Sequence, residues 1–191
     1  MTASQSMSSS DPTMQSQLAM MGEISVTSYY KGDMSKTIVA GGMTGTNTTV
    51  FNASTQKGIM FMDNPFMGKK WMPLDASEVD DEEASYTVER TSETKEILGY
   101  TCTKYLISEE SGTEMEMYTT EDITVASQKK FGDQVKGVPL LTITETSQMG
   151  MSMTITVEVT EIKEEKIKDK EFDMTVPEGY EEVNMDELMG N

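Results

Sequence analysis

The chain has 191 residues, of which 36% are hydrophobic, and this length and composition fit one domain of moderate size. Its 33 acidic residues outnumber 15 lysines and arginines, and the net charge of −18 would repel a nucleic-acid backbone. The absence of histidine and the presence of a single cysteine exclude histidine-based catalytic triads, the usual zinc ligand sets and an internal disulfide.

The first twenty residues are rich in serine, threonine and glutamine and contain few large apolar side chains. This composition predicts a disordered leader or linker over residues 1–20. A single domain is then expected over residues 21–191. The N-terminus lacks the basic and apolar pattern of a signal peptide, and no run of about 18 apolar residues predicts a transmembrane helix.

Period-two alternation dominates from residue 22 onward and predicts β-strands. In the first half, strands are predicted within 22–33, on both sides of the glycine-rich turn at 41–45, at 58–63 and at 71–74. The stretch 64–70 contains Asn64-Pro65 and Gly68, residues typical of a turn. The acidic stretch 75–84 is interpreted as either a short helix or a loop.

In the second half, strands are predicted at 84–91, 94–110 and 112–122, the middle one as a single continuous strand. Residues 121–137 show weak helical character, and residues 138–147 and 151–162 form a predicted hairpin. The total of nine or ten short strands predicts a mainly β (α+β) domain. We expect a strongly curved antiparallel sheet that forms a half-barrel, with few short helices.

The cysteine, Cys102, lies inside the predicted strand 94–110. A nucleophilic role would require a base, and no histidine is present to supply one. A lipid anchor would follow an apolar segment near the N-terminus, and a metal site would need further ligands. We therefore interpret Cys102 as a small buried side chain of the sheet.

Four short motifs occur in order along the chain. The first is the turn Tyr29–Asp33. The second is Ile97-x-Gly99-Tyr100-x-Cys102-x-Lys104-Tyr105, which Met117-Tyr118-Thr119-Thr120 follows. The last two are Gly137-Val138-Pro139-Leu140 and Phe172 with Pro177-Glu178-Gly179-Tyr180. Together they resemble the signature of an uncharacterised family of bacterial envelope proteins, over a span from about Gly22 to Leu188.

That family is similar to the superfamily of lipoprotein carriers and receptors (LolA/LolB-like). The resemblance implies a LolA-like half-barrel whose concave face holds acyl chains, with helices as a lid, in a protein of the bacterial periplasm or cell envelope. Residues 1–20 depart from this pattern, because they would form only a poor version of the amphipathic N-terminal helix usual in the superfamily.

Methionine is abundant, with 19 residues, and six of these form three pairs at a spacing of two. Each pair therefore lies on one face of its strand; the pairs are Met60 and Met62, Met115 and Met117, and Met151 and Met153. Three interpretations stay open: an ordinary core, an adaptable apolar pocket, or a thioether site for Cu(I).

The turn between the strands at 58–63 and 71–74 carries Phe66 and Met67, and is followed by Lys69, Lys70 and Trp71. Aromatic residues and lysines are typical of a surface that touches lipid headgroups. The turn also belongs to the less acidic part of the chain. Residues 1–74 carry five lysines and four acids, whereas residues 75–191 carry ten basic residues and 29 acids. We expect this turn to contact a membrane or a lipoprotein, or to fold back over the core.

These observations favour a non-enzymatic envelope protein that binds a hydrophobic ligand, such as a lipid or the acyl chain of a lipoprotein. No catalytic residue, metal or cofactor is assigned. The expected ligand-binding residues are Met60, Met62, Met115, Met117, Met151, Met153, Phe66 and Trp71. The alternatives are a structural or interaction module with a filled core and no ligand, and a methionine-based Cu(I) binder.

Overall fold

The computed structural model describes residues 1–42, 45–76, 86–110, 112–125, 131, 134–148 and 151–184. Within these residues twelve strands are present: β1 (Thr2–Ser9), β2 (Ile24–Lys31), β3 (Met34–Gly41), β4 (Gly45–Asn52), β5 (Lys57–Asn64), β6 (Gly68–Asp75), β7 (Tyr86–Ile97), β8 (Tyr100–Glu109), β9 (Thr113–Thr120), β10 (Val138–Gln148), β11 (Met151–Glu161) and β12 (Glu181–Glu182). Helix α1 spans Pro12–Met21, and a 3-10 helix spans Asp169–Phe172.

The twelve strands form one open, curved sheet in the order β12-β6-β5-β4-β3-β2-β1-β11-β10-β9-β8-β7. All neighbouring strands are antiparallel except β12 and β6. Consecutive strands are mostly hairpin partners, as short turns and period-two alternation predict. The prediction of a mainly β domain with a curved antiparallel sheet and few short helices is confirmed.

The prediction of a disordered leader over residues 1–20 is wrong. Strand β1 pairs with β2 on one side and with β11 on the other, so it joins the two halves of the sheet. The strand was not predicted because its sequence is rich in serine and glutamine. Its alternate residues Ala3, Gln5 and Met7 lie opposite Val159, Val157 and Ile155.

Helix α1 begins after Asp11, whose carboxylate accepts hydrogen bonds from the backbone N–H groups of Thr13 and Met14. This is an N-cap, and Pro12 occupies the first turn, where its missing N–H costs nothing.

Strands β1 and β12 are the two that the sequence did not predict. Because β1 is part of the same sheet, the sheet begins before the domain boundary predicted at residue 21.

The predicted continuous strand 94–110 is in fact interrupted by a tight turn at Leu98-Gly99. Ile97 pairs with Tyr100, and both turn residues have positive φ, 52° and 83°. Two positive φ values define the type I′ turn, whose twist matches that of the flanking strands. The segments predicted as separate strands at 84–91 and 94–97 belong instead to the single strand β7, with an irregularity between Arg90 and Thr94.

The strand registers assign each side chain to one of two faces, because directly opposed residues point the same way. We call the face that carries Met60, Met115 and Met153 the methionine face. The other, which carries Tyr29, Trp71 and other residues, is the opposite face. The predicted alternation in β11 is confirmed, since Met153, Ile155, Val157 and Val159 share the methionine face.

Two connecting segments cover the two halves of the sheet on different faces. The C-terminal segment (residues 162–184) covers the opposite face of β2–β6, where Phe172 packs with Val50, Ile59 and Phe61. In the β9–β10 connection (residues 121–137, of which 121–125, 131 and 134–137 are described), Phe131 and Val135 cover the methionine face of β8 and β9. There Phe131 packs with buried Tyr105, Ile107, Met115 and Met117. A third cluster in the middle of the sheet includes Ala3, Cys102, Leu140 and Val159.

The remaining predicted elements concern connections. Residues 77–85 and 185–191, which include most of the acidic stretch, lie outside the described residues. Residues 121–125 and 134–137 of the β9–β10 connection are not helical, so the weak helical pattern did not predict their conformation. No helix in the described part of the chain is long and apolar enough to cross a bilayer.

Candidate functional site

A cavity of about 510 Å³ lies at the end of the sheet where β1, β2, β8 and β11 meet the two covering segments. Its lining combines aromatic and aliphatic side chains, which include Tyr29, Tyr30, Tyr100, Ile123, Val125 and Ile162. The cavity lies between the middle cluster, to which Tyr100 and Ile123 belong, and the cluster of the C-terminal segment, to which Tyr29 belongs. Its volume is typical of a small-molecule site.

The lining of the cavity is also strongly polar, and its charged residues are mainly acidic. Asp122, Glu161, Glu164 and Glu165 belong to it, and Lys163 forms an ion pair with Glu161 at 2.9 Å. This hydrogen bond with Glu161 raises the pKa of Lys163. A lining that combines aromatic and aliphatic side chains with charged ones suits a molecule with an apolar body and a polar end.

One wall of the cavity is formed by the start of the C-terminal segment. Lys31 Nζ donates to the backbone oxygen of Ile167 at 2.9 Å, and Lys36 Nζ lies 3.3 Å from Glu171 Oε2. These contacts, together with the packing of Phe172, hold the segment against β2 and β3. The wall therefore belongs to a packed part of the molecule.

None of the eight predicted binding residues lines this cavity. The predicted methionines do share one face of the sheet, but they form two separate groups. Four strands lie between β5 and β11, so Met60 and Met153 are about 24 Å apart along the sheet, at about 4.8 Å per strand. Only one strand separates β11 from β9, which carries Met115 and Met117.

The burial of the two groups differs. Met115 and Met117 are buried under Phe131 in a packed cluster, as an ordinary core requires. Met60 and Met62 are half-buried, and Met72, which the sequence did not single out, lies directly opposite Met60. Met153 is half-buried in β11, and the side chain of Met151 lies outside what the structure describes.

The predicted aromatic tip is divided between two environments. The carboxamide oxygen of Asn64 accepts hydrogen bonds from the backbone N–H groups of Phe66 and Met67, which orders the β5–β6 turn. Phe66 and Met67 project from this turn with 78% and 53% of their surface exposed. Trp71 instead lies on the opposite face of β6, half-buried in the cluster of Phe172.

Cys102 is fully buried, which confirms its interpretation as part of the sheet. Burial, with a smaller effect from Asp122, raises the pKa of its thiol, so the thiolate is disfavoured. Beside it, Tyr118 donates to Glu93 at 2.8 Å, and Lys104 Nζ lies 3.0 Å from Glu116. No group of three or more aspartate, glutamate or cysteine side chains in the described chain is placed to hold a metal ion.

The sequence did contain a signal for part of the cavity lining. Tyr29 and Tyr100 belong to two of the quoted motifs, but we assigned them no role in binding. Ile123, Val125 and Ile162 lie in connections without regular structure, and no periodic pattern marks such residues. Their assembly depends on how two distant connections cross the end of the sheet.

The architecture defines a class of mainly β proteins built on an open curved sheet, and comparison with known sequences assigns the family. The family model described as "Domain of unknown function (DUF4412)" matches residues 6–134, more than half of the chain. The chain belongs to this family. No curated protein matches it.

Solved structures of PNGF-II are similar in fold. In two crystal forms, C2 and P21, the TM-scores are 0.55 and 0.53, each with 18% sequence identity. The match covers 99% of this chain and 32% of the PNGF-II chain, so the present chain spans about a third of that protein's length. At this identity the likeness describes the fold alone.

Proposed function

We propose that this protein binds a hydrophobic ligand, such as a lipid or an acyl chain, without catalysing a reaction. The observation that carries the proposal is the cavity of about 510 Å³ between two apolar clusters. The proposed binding residues are Tyr29, Tyr100, Ile123, Val125 and Ile162, in place of the predicted methionines. Burial of apolar ligand surface, worth about 25 cal/mol per Å², would drive binding.

The charged part of the lining supports an amphiphilic ligand more than a purely apolar one. The acyl portion would lie against Tyr100, Ile123 and Ile162, while the polar end would lie near Asp122 and Glu164. A site of this kind would serve a carrier of lipid or of lipidated protein. We propose the bacterial periplasm or cell envelope as its location, and the support for that location is the motif resemblance alone.

Native mass spectrometry of protein purified without detergent, followed by solvent extraction, tests the proposal. We expect a co-purifying mass that extracts as lipid. A Thr27→Trp variant should reduce its occupancy, because Thr27 lines the cavity and an indole would fill it. Thr49→Trp is the matched control, since Thr49 is also half-buried in a strand but lies away from the cavity.

Thermal melting of both variants shows whether the fold is retained. A clean ligand-free mass that gains nothing on incubation with fatty acids or phospholipids would reject lipid binding. It would favour the alternative, a structural module with a filled core. Equal loss of lipid in Thr27→Trp and Thr49→Trp would place the ligand outside this cavity.

We also propose that the β5–β6 turn contacts the membrane. The exposed pair Phe66 and Met67 is the support, since few exposed large apolar side chains occur in the described chain and these two are adjacent. Liposome flotation on phosphatidylethanolamine and phosphatidylglycerol vesicles compares Phe66→Glu/Met67→Glu with Leu98→Glu, a control at another exposed turn. Selective loss of flotation in the double variant is expected; unchanged flotation would refute the contact.

A further inference from the structure

Three methionines occupy neighbouring positions on the methionine face of β5 and β6. Met60 and Met72 are directly opposed in the β5–β6 register, and Met62 is the next residue of β5 on the same face. Opposed Cβ atoms lie about 5 Å apart, and next-but-one residues of a strand about 7 Å apart. The methionine side chain has three rotatable bonds, so three sulfurs at these positions are able to converge on one point.

The thioethers are surrounded by uncharged side chains and by one lysine whose charge is paired. Asp63 and Asp75, the acidic residues of the described β4–β6 strands, lie on the opposite face. The methionine face of these strands carries Thr49, Asn47 and Phe51 beside the sulfurs. Lys70, opposite Met62, forms an ion pair with Glu181, which offsets its charge. The one carboxylate that the register places beside this face in the described strands, Glu181, is paired with Lys70, so a hard divalent cation would have to compete with that lysine, whereas a soft monovalent cation needs no carboxylate.

The exposure of the three residues is graded. Met72 is 7% exposed, and Met60 and Met62 are half-buried, so the group opens toward the surface from a buried base. The cluster of the C-terminal segment lies on the other face of these strands. Met115 and Met117 on the same face of β9 are, by contrast, buried in a packed cluster under Phe131.

We infer that Met60, Met62 and Met72 form a trigonal thioether site for Cu(I). Thioether sulfur is a soft ligand that suits Cu(I), and three neutral ligands leave the complex with a single positive charge. The site is distinct from the cavity and does not depend on the proposed lipid binding. It assigns a role to Met72 and separates the Met60–Met62 pair from the other methionines of this face.

Silver(I), a redox-inert soft cation, is the probe. The full chain, labelled with ¹³C at its methionine methyl groups, is titrated in chloride-free buffer and followed by NMR. Single Met60→Leu, Met62→Leu and Met72→Leu variants identify the three signals. At one equivalent we expect these three signals to move together, and each single leucine variant to weaken silver binding at least tenfold.

The matched control replaces Met115, Met117 and Met153 by leucine, which removes three methionines from the same face. This variant should bind silver as tightly as the native protein, and a competition assay with bicinchoninate should then reproduce the pattern with Cu(I). Movement of other methionine signals first, no movement at one equivalent, or undiminished binding by the Met60/Met62/Met72→Leu variant would overturn the site.

Discussion

The β2–β6 half of the sheet and the β7–β9 half each carry two methionines at a spacing of two on the methionine face, yet only one pair is buried. Met115 and Met117 lie beneath Phe131, because the β9–β10 connection crosses that face. Met60 and Met62 are half-buried, because the C-terminal segment packs on the other side of their half. The same strand pattern therefore has two outcomes, which the covering segment decides.

The covers use a similar aromatic contact on the two faces. Tyr180 of the C-terminal segment packs edge-on against Phe61, with ring centroids 5.6 Å apart. Phe131 of the β9–β10 connection packs edge-on against Tyr86 at 5.3 Å. Such pairs contribute about 0.5–1.5 kcal/mol beyond the burial of their area. The comparison suggests that each cover is held by a few apolar anchors, and the predictions below test this.

The largest effect is expected from Phe172→Ala, which removes the buried anchor of the C-terminal segment. Loss of a buried phenylalanine costs about 3–5 kcal/mol in the free energy of unfolding. Urea denaturation followed by tryptophan fluorescence measures it, since Trp71 belongs to the same cluster. Phe66→Ala is the control and should change stability by less than about 0.5 kcal/mol. Similar costs for both variants would show that the segment does not depend on Phe172.

The second prediction compares the free-energy cost of truncating one methionine from each of the two pairs. Met117→Ala should lower the free energy of unfolding by about 2–5 kcal/mol, because it leaves a cavity under Phe131. Met62→Ala should cost about 1 kcal/mol or less, because its side chain is only half-buried. Chemical denaturation of the two variants under one set of conditions gives the difference. Equal costs would mean that both halves of the methionine face are packed alike.

Local patterns predicted most of the sheet, because alternation and turn residues act over a few positions. Strands β2–β6 and the β10–β11 hairpin follow the apolar alternation closely. Strand β1 was missed because serine and glutamine fill its alternate positions. The Leu98-Gly99 turn was missed because Leu98, an apolar residue, adopts positive φ where glycine or asparagine is usual.

The candidate site was less predictable than the sheet. Spacing predicted that each methionine pair lies on one face of its strand. It did not predict which pairs would be covered. That depends on contacts between residues far apart in the chain, such as Phe131 with Met117 on one face and Phe172 with Ile59 on the other. The cavity lining is harder still to foresee, because Ile123 and Ile162 lie in irregular connections.

A pH-dependent effect is expected on the opposite face of the β7–β9 half. The hydrogen bond from Tyr118 to Glu93, with Lys104 nearby, holds the pKa of Glu93 below its usual value of 4.5. The folded state thus favours the ionised carboxylate. Its contribution to stability is present above the pKa of the unfolded chain and is lost as pH falls through the lower folded pKa.

Glu93→Gln removes this charge and keeps the shape. We expect the native protein to be more stable than Glu93→Gln near pH 7, and the difference to shrink as pH falls from about 5 to 3. Urea midpoints measured across this range give the result. Glu89→Gln, at an exposed position of the same strand, is the control. A difference that stays constant or grows on acidification would contradict the assigned interaction.

The smallest effect is expected from Asp169→Asn, which removes the exposed ion pair of Lys31 with the C-terminal segment. Ion pairs on the surface contribute about 0–1 kcal/mol, and the Asp169 side chain is 93% exposed. Lys31 also keeps its hydrogen bond to the backbone oxygen of Ile167, so the segment stays attached to β2. We therefore expect Asp169→Asn to change the free energy of unfolding, measured by urea denaturation, by less than about 0.5 kcal/mol. In about 0.5 M salt the change should be no larger, because salt screens the ion pair. If Asp169→Asn cost as much as Phe172→Ala, charge rather than apolar packing would hold the cover of this half, and the contrast between the two halves would need a different cause.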